Sequence, residues 1–394
     1  MHNMIIGIIG APNKGKSTLF SSLTLNDVGI ADYPFTTIDP NMGVAYVKVP
    51  CAEKLIGAKC NARSGSCSNG IRSIPINVID VAGLVKDAHS GKGMGNKFLN
   101  DLAGADALVI VVDASGGTDQ NGNPCEGCNP SEDIKMVLGE LHAWLYDILK
   151  KHMNAISKTE DGTEALYNVL AGLKISRDYI EEAAKECFLS TSRINWSDDD
   201  IMEFSKALLK KSKPLAIAAN KMDKAGAKEN LERLRAEYGE KDVVGCSAAI
   251  ELALVKAVNA GVISYDGGNS FILMKESIKK EQKDALDYMS RFLKANGGSG
   301  IQRLLNTIVF DLLNLIVVYP VEDENKYTDH NGNVLPDAIL MENGSTALDL
   351  ARTIHTDIAK NMLYAIDALK KVRVAKDYKL KNGDIIKIVS SVKH

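Results

Sequence analysis

Long hydrophobic runs and a strong net charge are both missing from this sequence. The longest uncharged apolar runs span only about seven residues, whereas a membrane-spanning helix needs about 20. The formal net charge of the 394 residues is −3, which excludes a globally polybasic RNA-binding chain but leaves local basic patches open. The N-terminal residues have the pattern of a strand and a loop and not that of a signal peptide. We therefore expect a soluble, cytoplasmic protein.

Cysteine is sparse, and its odd number argues against a framework of disulfides. The chain has seven cysteines, and free reduced thiols are their expected state. As an alternative, Cys60 with Cys67 and Cys125 with Cys128 could together hold zinc if their two loops meet, with Cys51 as a looser partner. Six residues separate Cys60 from Cys67, which is a poor spacing for a zinc knuckle.

A glycine-rich loop follows the first apolar run of the chain. Residues 10–17 read G-A-P-N-K-G-K-S directly after the apolar run 4–9, which is the context of a phosphate-binding loop between a strand and a helix. In such a loop backbone N–H groups point at the phosphates, Lys16 contacts the β- and γ-phosphates and Ser17 ligates Mg²⁺. We therefore expect Mg²⁺ and a nucleoside triphosphate to bind here. The residues expected to contact them are Asn13, Lys14, Gly15, Lys16, Ser17 and Thr18.

Two further motifs follow in the order that is typical of GTPases. Asp80 begins a D-x-x-G motif that ends at Gly83; we expect Asp80 to hold Mg²⁺ through water and the Gly83 N–H to sense the γ-phosphate. An N-K-M-D motif at 220–223 follows a second short apolar segment. The carboxylate of Asp223 can accept hydrogen bonds from the ring N–H and the amino group of guanine, which adenine cannot offer. The residues expected to bind the base are Asn220, Lys221, Asp223, Ser247, Ala248 and Ala249.

Together these segments resemble the Obg family of GTPases, which belongs to the translation-factor class, and its YchF-like branch in particular. The resemblance rests on residues 10–18, on Y-P-F-T-T-I-D-P-N at 33–41, on D-V-A-G-L-V at 80–85 and on the glycine-rich stretch 91–99. It extends from residue 4 to the C-terminus. It implies that Thr37 is the threonine of switch I, whose hydroxyl reaches Mg²⁺ when GTP is bound.

The same resemblance bears on the nucleotide and on the rate of hydrolysis. Many YchF-like proteins have lost the aspartate that matches Asp223 and prefer ATP, whereas this chain keeps it, so we predict GTP. Leu84 stands where Ras-like GTPases place the glutamine that orients the attacking water, so we expect slow intrinsic hydrolysis. His89 is either a catalytic substitute or a solvated loop residue. Asn13 is a second candidate, because in some GTPases with this loop the asparagine ligates K⁺ in place of an arginine finger.

The distribution of apolar runs predicts an α/β fold, a P-loop NTPase with a doubly wound parallel sheet. The gap between the runs that end at 112 and begin at 214 is far longer than a crossover helix requires. We predict an inserted α-helical domain at 129–209, so that the GTPase domain comprises 1–128 and 210–313. Residues 314–394 resemble a TGS domain, a β-grasp fold, with strands at 316–320, 338–341 and near 378–389 and a helix at 346–359.

These observations predict a Mg²⁺-dependent GTPase that acts as a nucleotide-controlled switch. The resemblance implies a ribosome, or another assembly containing rRNA or tRNA, as partner, and we expect a monomer without a membrane partner. Two alternatives stay open: a module that binds GTP with negligible hydrolysis, and a P-loop nucleotide kinase. The C-terminal domain carries basic residues that could face a phosphate backbone: Lys370, Lys371, Arg373, Lys376, Lys379, Lys381 and Lys387.

Overall fold

The computed structural model describes residues 4–25, 41–81, 102–275 and 277–391. Its first sheet has strands β1 (Ile5–Ile9), β2 (Met42–Pro50), β3 (Ser66–Ser68), β4 (Ile71–Asp80), β5 (Ala107–Asp113), β6 (Leu215–Asn220) and β7 (Val243–Gly245). The strand order is β2-β4-β1-β5-β6-β7, and β3 also pairs with β4. Strands β4, β1, β5, β6 and β7 run parallel to one another, while β2 lies antiparallel to β4.

Helices cover both faces of this sheet, which explains why its strands are almost continuously apolar. All seven residues of β5 are buried. The helices of this part of the chain are α1 (Lys16–Thr24), the short α2 (Glu53–Ile56), and, after the insertion described next, α7 (Ala227–Tyr238), α8 (Ala248–Asn259), α9 (Lys280–Asn296) and α10 (Ile301–Asn306). A two-stranded ribbon of β8 (Ile263–Ser264) and β9 (Ile272–Leu273) separates α8 from α9, and a π-helix at Thr307–Leu312 follows α10. The predicted α/β class is confirmed.

Four helices lie between β5 and β6, in the segment where the sequence predicts an insertion. They are α3 (Pro130–Ile156), α4 (Gly162–Leu170), α5 (Arg177–Glu186) and α6 (Asp198–Ser212), with a 3₁₀ turn at Ala171–Leu173. The side chain of Asn129 accepts a hydrogen bond from the Ser131 N–H, and Ser197 forms a capping box with Asp200. These caps set where α3 and α6 begin. The limits 129–209 remain our proposal for this domain.

A second sheet is formed by the C-terminal part of the chain. Its strands are β10 (Leu315–Val321), β11 (Ile339–Glu342), β12 (Met362–Asp367), β13 (Val372–Val374) and β14 (Ile385–Ser390), in the order β11-β10-β14-β12-β13. The central pair β10 and β14 is parallel. Two short helices, α11 (Ala347–Ile354) and α12 (Thr356–Lys360), replace the single predicted helix. His355 ends the first of them in an extended conformation, with φ −163° and ψ 138°.

The cysteines are arranged differently from the prediction. Cys125 is bonded to Cys128 in a disulfide, so these two are not the expected free thiols. Cys60 and Cys67 lie with Cys51, and not with the 125–128 pair. The four-cysteine zinc site considered from the sequence is therefore wrong, because the two cysteine-bearing loops do not meet. None of the helices described is long and apolar enough to cross a membrane.

Candidate functional site

The loop between β1 and α1 has a backbone that only glycine can follow at two positions. Gly10 has φ +146°, and a Cβ atom there would lie 2.5 Å from the Val111 carbonyl oxygen. Gly15 has φ +95°, and its Cβ would lie 2.4 Å from Asn220 Nδ2. Both contacts are shorter than van der Waals packing allows, and both φ values belong to the region that favours glycine. The loop is therefore pressed against the carboxyl ends of β5 and β6.

Lys16 begins α1 and turns its side chain into this loop. Its ammonium donates to the Ala11 carbonyl oxygen at 2.9 Å. Burial lowers the pKa of Lys16, while the charge of Asp80 opposes this change. The positive charge therefore lies inside the loop, beside the first turn of α1, where backbone N–H groups and the helix dipole also favour an anion.

Ser17 and Asp80 bring two oxygen atoms together next to Lys16. The Ser17 hydroxyl donates to Asp80 Oδ2 at 3.0 Å. Burial raises the pKa of Asp80, and the Ser17 hydrogen bond and the Lys16 charge oppose this. Hydroxyl and carboxylate oxygens are hard ligands that suit Mg²⁺. Two of the three residues expected to hold Mg²⁺ are thus adjacent and of the right chemistry for it.

Lys14 is among the residues expected to contact the nucleotide, but its side chain is bound within the protein. The side chain is fully buried, and Nζ lies 2.8 Å from Asp133 Oδ2 in the first turn of α3. Nζ also donates to the Thr118 carbonyl and hydroxyl oxygens at 3.0 Å and to the Asp119 carbonyl oxygen at 2.9 Å. Lys14 therefore ties the loop to the segment that leads into α3. Because the Lys14 carbonyl oxygen also accepts from Asn220 Nδ2, a contact between Lys14 and a ligand would come from its backbone N–H.

Asn13 and Thr18 are the two remaining residues of the loop and of α1 that we expect to contact the nucleotide. Asn13 has φ +60°, and its side-chain Nδ2 donates to the Gly122 carbonyl oxygen at 3.0 Å. This leaves the amide oxygen of Asn13 as the atom that could meet a cation, and a role with K⁺ stays a prediction. Thr18 is half-buried in the first turn of α1.

Asn220 joins the phosphate-binding loop to the segment that begins α8. Its Nδ2 donates to the Lys14 carbonyl oxygen at 2.9 Å, and its Oδ1 accepts from the Ala248 N–H at 3.0 Å. Because Asn220 is buried, these hydrogen bonds are shielded from water and fix the spacing of the three segments. The N-K-M-D motif and the start of α8 at Ser247 and Ala248 therefore lie next to the phosphate-binding loop.

Asp223 is held in place by Ser247. The Ser247 hydroxyl donates to Asp223 Oδ1 at 2.6 Å, and the same oxygen caps α8 by accepting from the Ile250 N–H at 3.3 Å. The hydroxyl of Tyr288, from α9, donates to the Asp223 carbonyl oxygen at 3.3 Å. Ala249 is exposed in the first turn of α8. Tyr288 is absent from the predicted set because no motif marks it; only the fold brings α9 to this place.

Asp113 is a second residue that sequence reasoning missed. Lys221, at φ +66°, places its Nζ 2.7 Å from Asp113 Oδ2 and 3.1 Å from the Asn13 carbonyl oxygen. Burial alone raises the pKa of Asp113, but hydrogen bonds from Lys221, Ser115 and Thr118 together lower it. A signal was available, since Asp113 ends the apolar run of β5 at the sheet edge where ligands of parallel sheets bind.

An open cavity of about 380 Å³ lies beside this group. Its lining includes Asp113, Lys221, Lys224 and residues 125–127. Three predicted site residues, Thr37, Gly83 and His89, lie outside the described residues, as does Leu84. Their roles stay predictions.

Known protein families and relatives match nearly the whole of this chain. A family model described as "50S ribosome-binding GTPase" matches residues 5–154, one described as "Obg-like GTPase YGR210-like, G4 motif-containing domain" matches 218–323, and a TGS domain model matches 331–390. An uncharacterized GTP-binding protein of Methanocaldococcus jannaschii is 49% identical over 99% of this chain and all of its own length. An uncharacterized GTP-binding protein of Schizosaccharomyces pombe is 33% identical over 89% of this chain and 90% of its own.

More distant relatives and solved structures give the same picture. The ribosome-binding ATPase YchF of Buchnera aphidicola is 28% identical over 98% of this chain and 99% of its own. The crystal structure of a GTP binding protein from Pyrococcus horikoshii has a TM-score of 0.79 at 37% identity, covering 98% of this chain and all of that one. The YchF GTPase of Schizosaccharomyces pombe, at 22% identity, a TM-score of 0.60 and 98% coverage of both chains, shares the fold. The chain belongs to the YchF-like branch of the Obg-like GTPases and carries a TGS domain.

Proposed function

We propose that this protein binds GTP in preference to ATP, hydrolyses it slowly to GDP and phosphate, and acts as a nucleotide-controlled switch on the ribosome. The observation that carries the proposal is the Asn220 side chain, which hydrogen-bonds to both the Lys14 carbonyl oxygen and the Ala248 N–H. These two bonds set the distance between the phosphate-binding loop and the residues around Asp223. One nucleotide can therefore contact both.

The phosphate end of the site supports binding of a triphosphate. Lys16 and the N–H groups of the loop would hold the β- and γ-phosphate oxygens. When bound by Ser17 and Asp80, Mg²⁺ would neutralise part of the negative charge of the triphosphate. Catalysis of phosphoryl transfer consists mostly of such positioning and charge stabilisation.

The base end supports guanine. With Oδ1 of Asp223 engaged by Ser247, the carboxylate is oriented before the base arrives. Guanine presents two N–H donors to a carboxylate, whereas adenine would leave an acceptor facing it and a polar atom unpaired. Some relatives of this chain are named ATPases. The preference of this chain for guanine over adenine therefore needs a direct test.

Slow hydrolysis follows from Leu84, which cannot orient a water molecule. A partner would then set the rate, as is usual for switch GTPases. The family description and the name of the Buchnera relative point to the ribosome as that partner. The alternative, a GTP-binding module with negligible hydrolysis, rests on the same leucine. A P-loop nucleotide kinase gives no role to Asp223.

The C-terminal domain offers a basic surface for such a partner. Of the seven basic residues noted in the sequence, Lys370 and Lys387 are paired with Asp367 and Glu324. Arg373 stacks over the ring of Tyr364 at 3.6 Å. Lys371 donates to the Glu324 carbonyl oxygen and lies over the ring of Tyr327. We define the basic patch as the four remaining residues, which are exposed and, in the described part of the chain, have no carboxylate within 4.0 Å: Arg373, Lys376, Lys379 and Lys381.

Single-turnover hydrolysis of GTP, measured with and without ribosomes, tests this proposal. The wild-type protein alone should hydrolyse GTP slowly, and ribosomes should accelerate it by about tenfold or more. Reversing the four charges of the basic patch to glutamate should remove this stimulation and ribosome co-sedimentation, and leave GTP affinity unchanged. Wild-type co-sedimentation should fall steeply between about 50 and 200 mM salt.

A matched variant controls for net charge. It reverses four exposed lysines of the inserted helical segment to glutamate: Lys151, Lys158, Lys185 and Lys210. This variant should behave as wild type; loss of binding here, with the basic patch variant unaffected, would assign the partner surface to the inserted helices. Charge reversal is preferable to deletion of the C-terminal domain. Val317 and Tyr319 of that domain pack in one core with Cys51 and Ile74, so a deletion would expose part of this core. Binding of GTP without measurable hydrolysis under either condition would favour the binding module.

A further inference from the structure

Three cysteines meet in the segment between β2 and β4, away from the nucleotide site. Cys51 follows β2, Cys60 lies in the loop after α2 and Cys67 is in β3. Their sulfur atoms all lie within 4.8 Å of one another. In a tetrahedral zinc site with Zn–S bonds of about 2.3 Å, the sulfurs are about 3.8 Å apart. The three thiols are thus close to the spacing that one zinc ion requires.

One neighbouring group, Arg72, favours thiolates over neutral thiols in this cluster. Arg72 is fully buried, and its Nη1 donates to Cys60 Sγ at 3.0 Å. Its other hydrogen bonds go to neutral carbonyl oxygens of Ser64, Leu335 and Pro336. In the described part of the chain no carboxylate lies within 4.0 Å of the Arg72 nitrogens.

A buried guanidinium without a counter-charge is strongly unfavourable. Three thiolates bound to one divalent ion carry a single net negative charge, which the Arg72 guanidinium would neutralise. Three neutral thiols offer no such compensation. The charge of Arg72 therefore favours the thiolate form of these cysteines, which is the form that binds zinc.

Glu53 supplies an oxygen on the open side of the cluster. Its Oε2 accepts from the Cys60 N–H at 2.8 Å and lies 3.7 Å from Cys67 Sγ. Glu53 and Cys67 also line an open cavity of about 460 Å³, which gives an ion a path of entry. Thiolate ligands with one oxygen neighbour are chemistry that suits zinc and not Mg²⁺ or Ca²⁺.

We propose that Cys51, Cys60 and Cys67 are three thiolate ligands of a structural zinc ion whose fourth coordination position faces Glu53. The ion would fix the loop that docks the first sheet onto the C-terminal domain. In that loop the Asn61 N–H donates to the Val334 carbonyl oxygen, the Arg63 N–H donates to that of Pro336, and the Arg63 side chain pairs with Asp337. Zinc binding would therefore stabilise the contact between the two sheets as well as the loop itself.

Metal content of the full-length protein tests this proposal. Protein purified with a reductant and without chelator should hold about one zinc ion per chain, measured by inductively coupled plasma mass spectrometry. Cys67→Ser should lower zinc affinity by about 100-fold or more, because loss of an outer-shell partner alone typically costs about 10- to 100-fold. EDTA should lower the melting temperature of the wild type and leave that of Cys67→Ser unchanged.

Two control variants separate this site from the other cysteines. Cys187→Ser and the double variant Cys125→Ser with Cys128→Ser should both keep the zinc ion. Loss of zinc from the double variant, with Cys67→Ser still loaded, would overturn the assignment.

Cobalt gives a readout that needs no variant. Replacing zinc with Co²⁺ in the wild type should produce the near-ultraviolet sulfur-to-cobalt charge-transfer absorption of thiolate ligands. The proposal is wrong if the wild type, reconstituted with zinc under reducing conditions, retains none and shows no such absorption with cobalt. A disulfide between any two of Cys51, Cys60 and Cys67 in protein purified without oxygen would contradict it equally.

Discussion

Replacing Lys16 with alanine should lower the rate of GTP hydrolysis by about 100- to 1,000-fold, the usual cost of losing one transition-state donor. It should also weaken GTP binding by about 10- to 100-fold, because a hydrogen bond to a charged group contributes about 1.5–3 kcal/mol. In the structure the ammonium of Lys16 donates to the Ala11 carbonyl oxygen. Because this partner is a neutral backbone group and not a carboxylate, we expect the Lys16→Ala variant to fold. Single-turnover hydrolysis and titration calorimetry measure the two effects.

Lys14 provides the contrast within the same loop. Its ammonium is buried against Asp133, so Lys14→Ala leaves a buried carboxylate without its partner, which typically costs about 3–5 kcal/mol of stability. We expect thermal unfolding to separate the two variants: Lys14→Ala should melt well below the wild type, and Lys16→Ala near it. Wild-type turnover in Lys16→Ala would show that the phosphate-binding loop is misassigned.

The second large effect is a change of base preference in Asp223→Asn. GTP affinity should fall by about 100-fold, because an amide presents a donor to a guanine N–H and leaves it unpaired. Affinity for xanthosine triphosphate should rise, since xanthine has a carbonyl oxygen where guanine has its amino group. The asparagine Oδ1 can still accept from Ser247, so the side chain should keep its orientation. Competition binding with GTP, xanthosine triphosphate and ATP measures the change.

Ser247→Ala is the matched control for this substitution. It removes the hydroxyl that holds Asp223 Oδ1 but keeps the carboxylate. GTP affinity should therefore fall by less, with no gain for xanthosine triphosphate. If Asp223→Asn bound GTP as tightly as the wild type, Asp223 would not be the group that reads the base.

The strands and the motifs were predictable because their signals are local. Runs of buried residues mark β1, β4, β5 and β6 directly, and the motifs follow the carboxyl ends of those strands. Strands β12 and β13 were missed, since Leu363 and Val372 are exposed and obscure the alternation by which half-buried strands are recognised. The single helix predicted at 346–359 is divided at His355 into α11 and α12. The position of this break depends on how the two helices pack, which the local sequence does not indicate.

The residues whose contacts the sequence does not reveal are those whose partners are distant in sequence. Lys14 looks like a phosphate ligand until Asp133, from the start of α3, is seen beside it. Cys51 joins Cys60 and Cys67 because β3 and β2 both pair with β4, which no spacing of cysteines reveals. Asp113 meets Lys221 because β5 and β6 are neighbours in the sheet. Such contacts depend on which strands and helices are neighbours in the fold, and the local sequence pattern does not indicate these neighbours.

Calorimetric titration of the wild-type protein with GTP and with ATP, each with Mg²⁺, measures directly whether the site selects guanine. If Asp223 reads the base in the site that Asn220 ties to the phosphate-binding loop, GTP should bind at least about tenfold more tightly than ATP, a difference of about 1.4 kcal/mol. Equal dissociation constants for the two nucleotides, or tighter binding of ATP, would show that Asp223 does not select guanine.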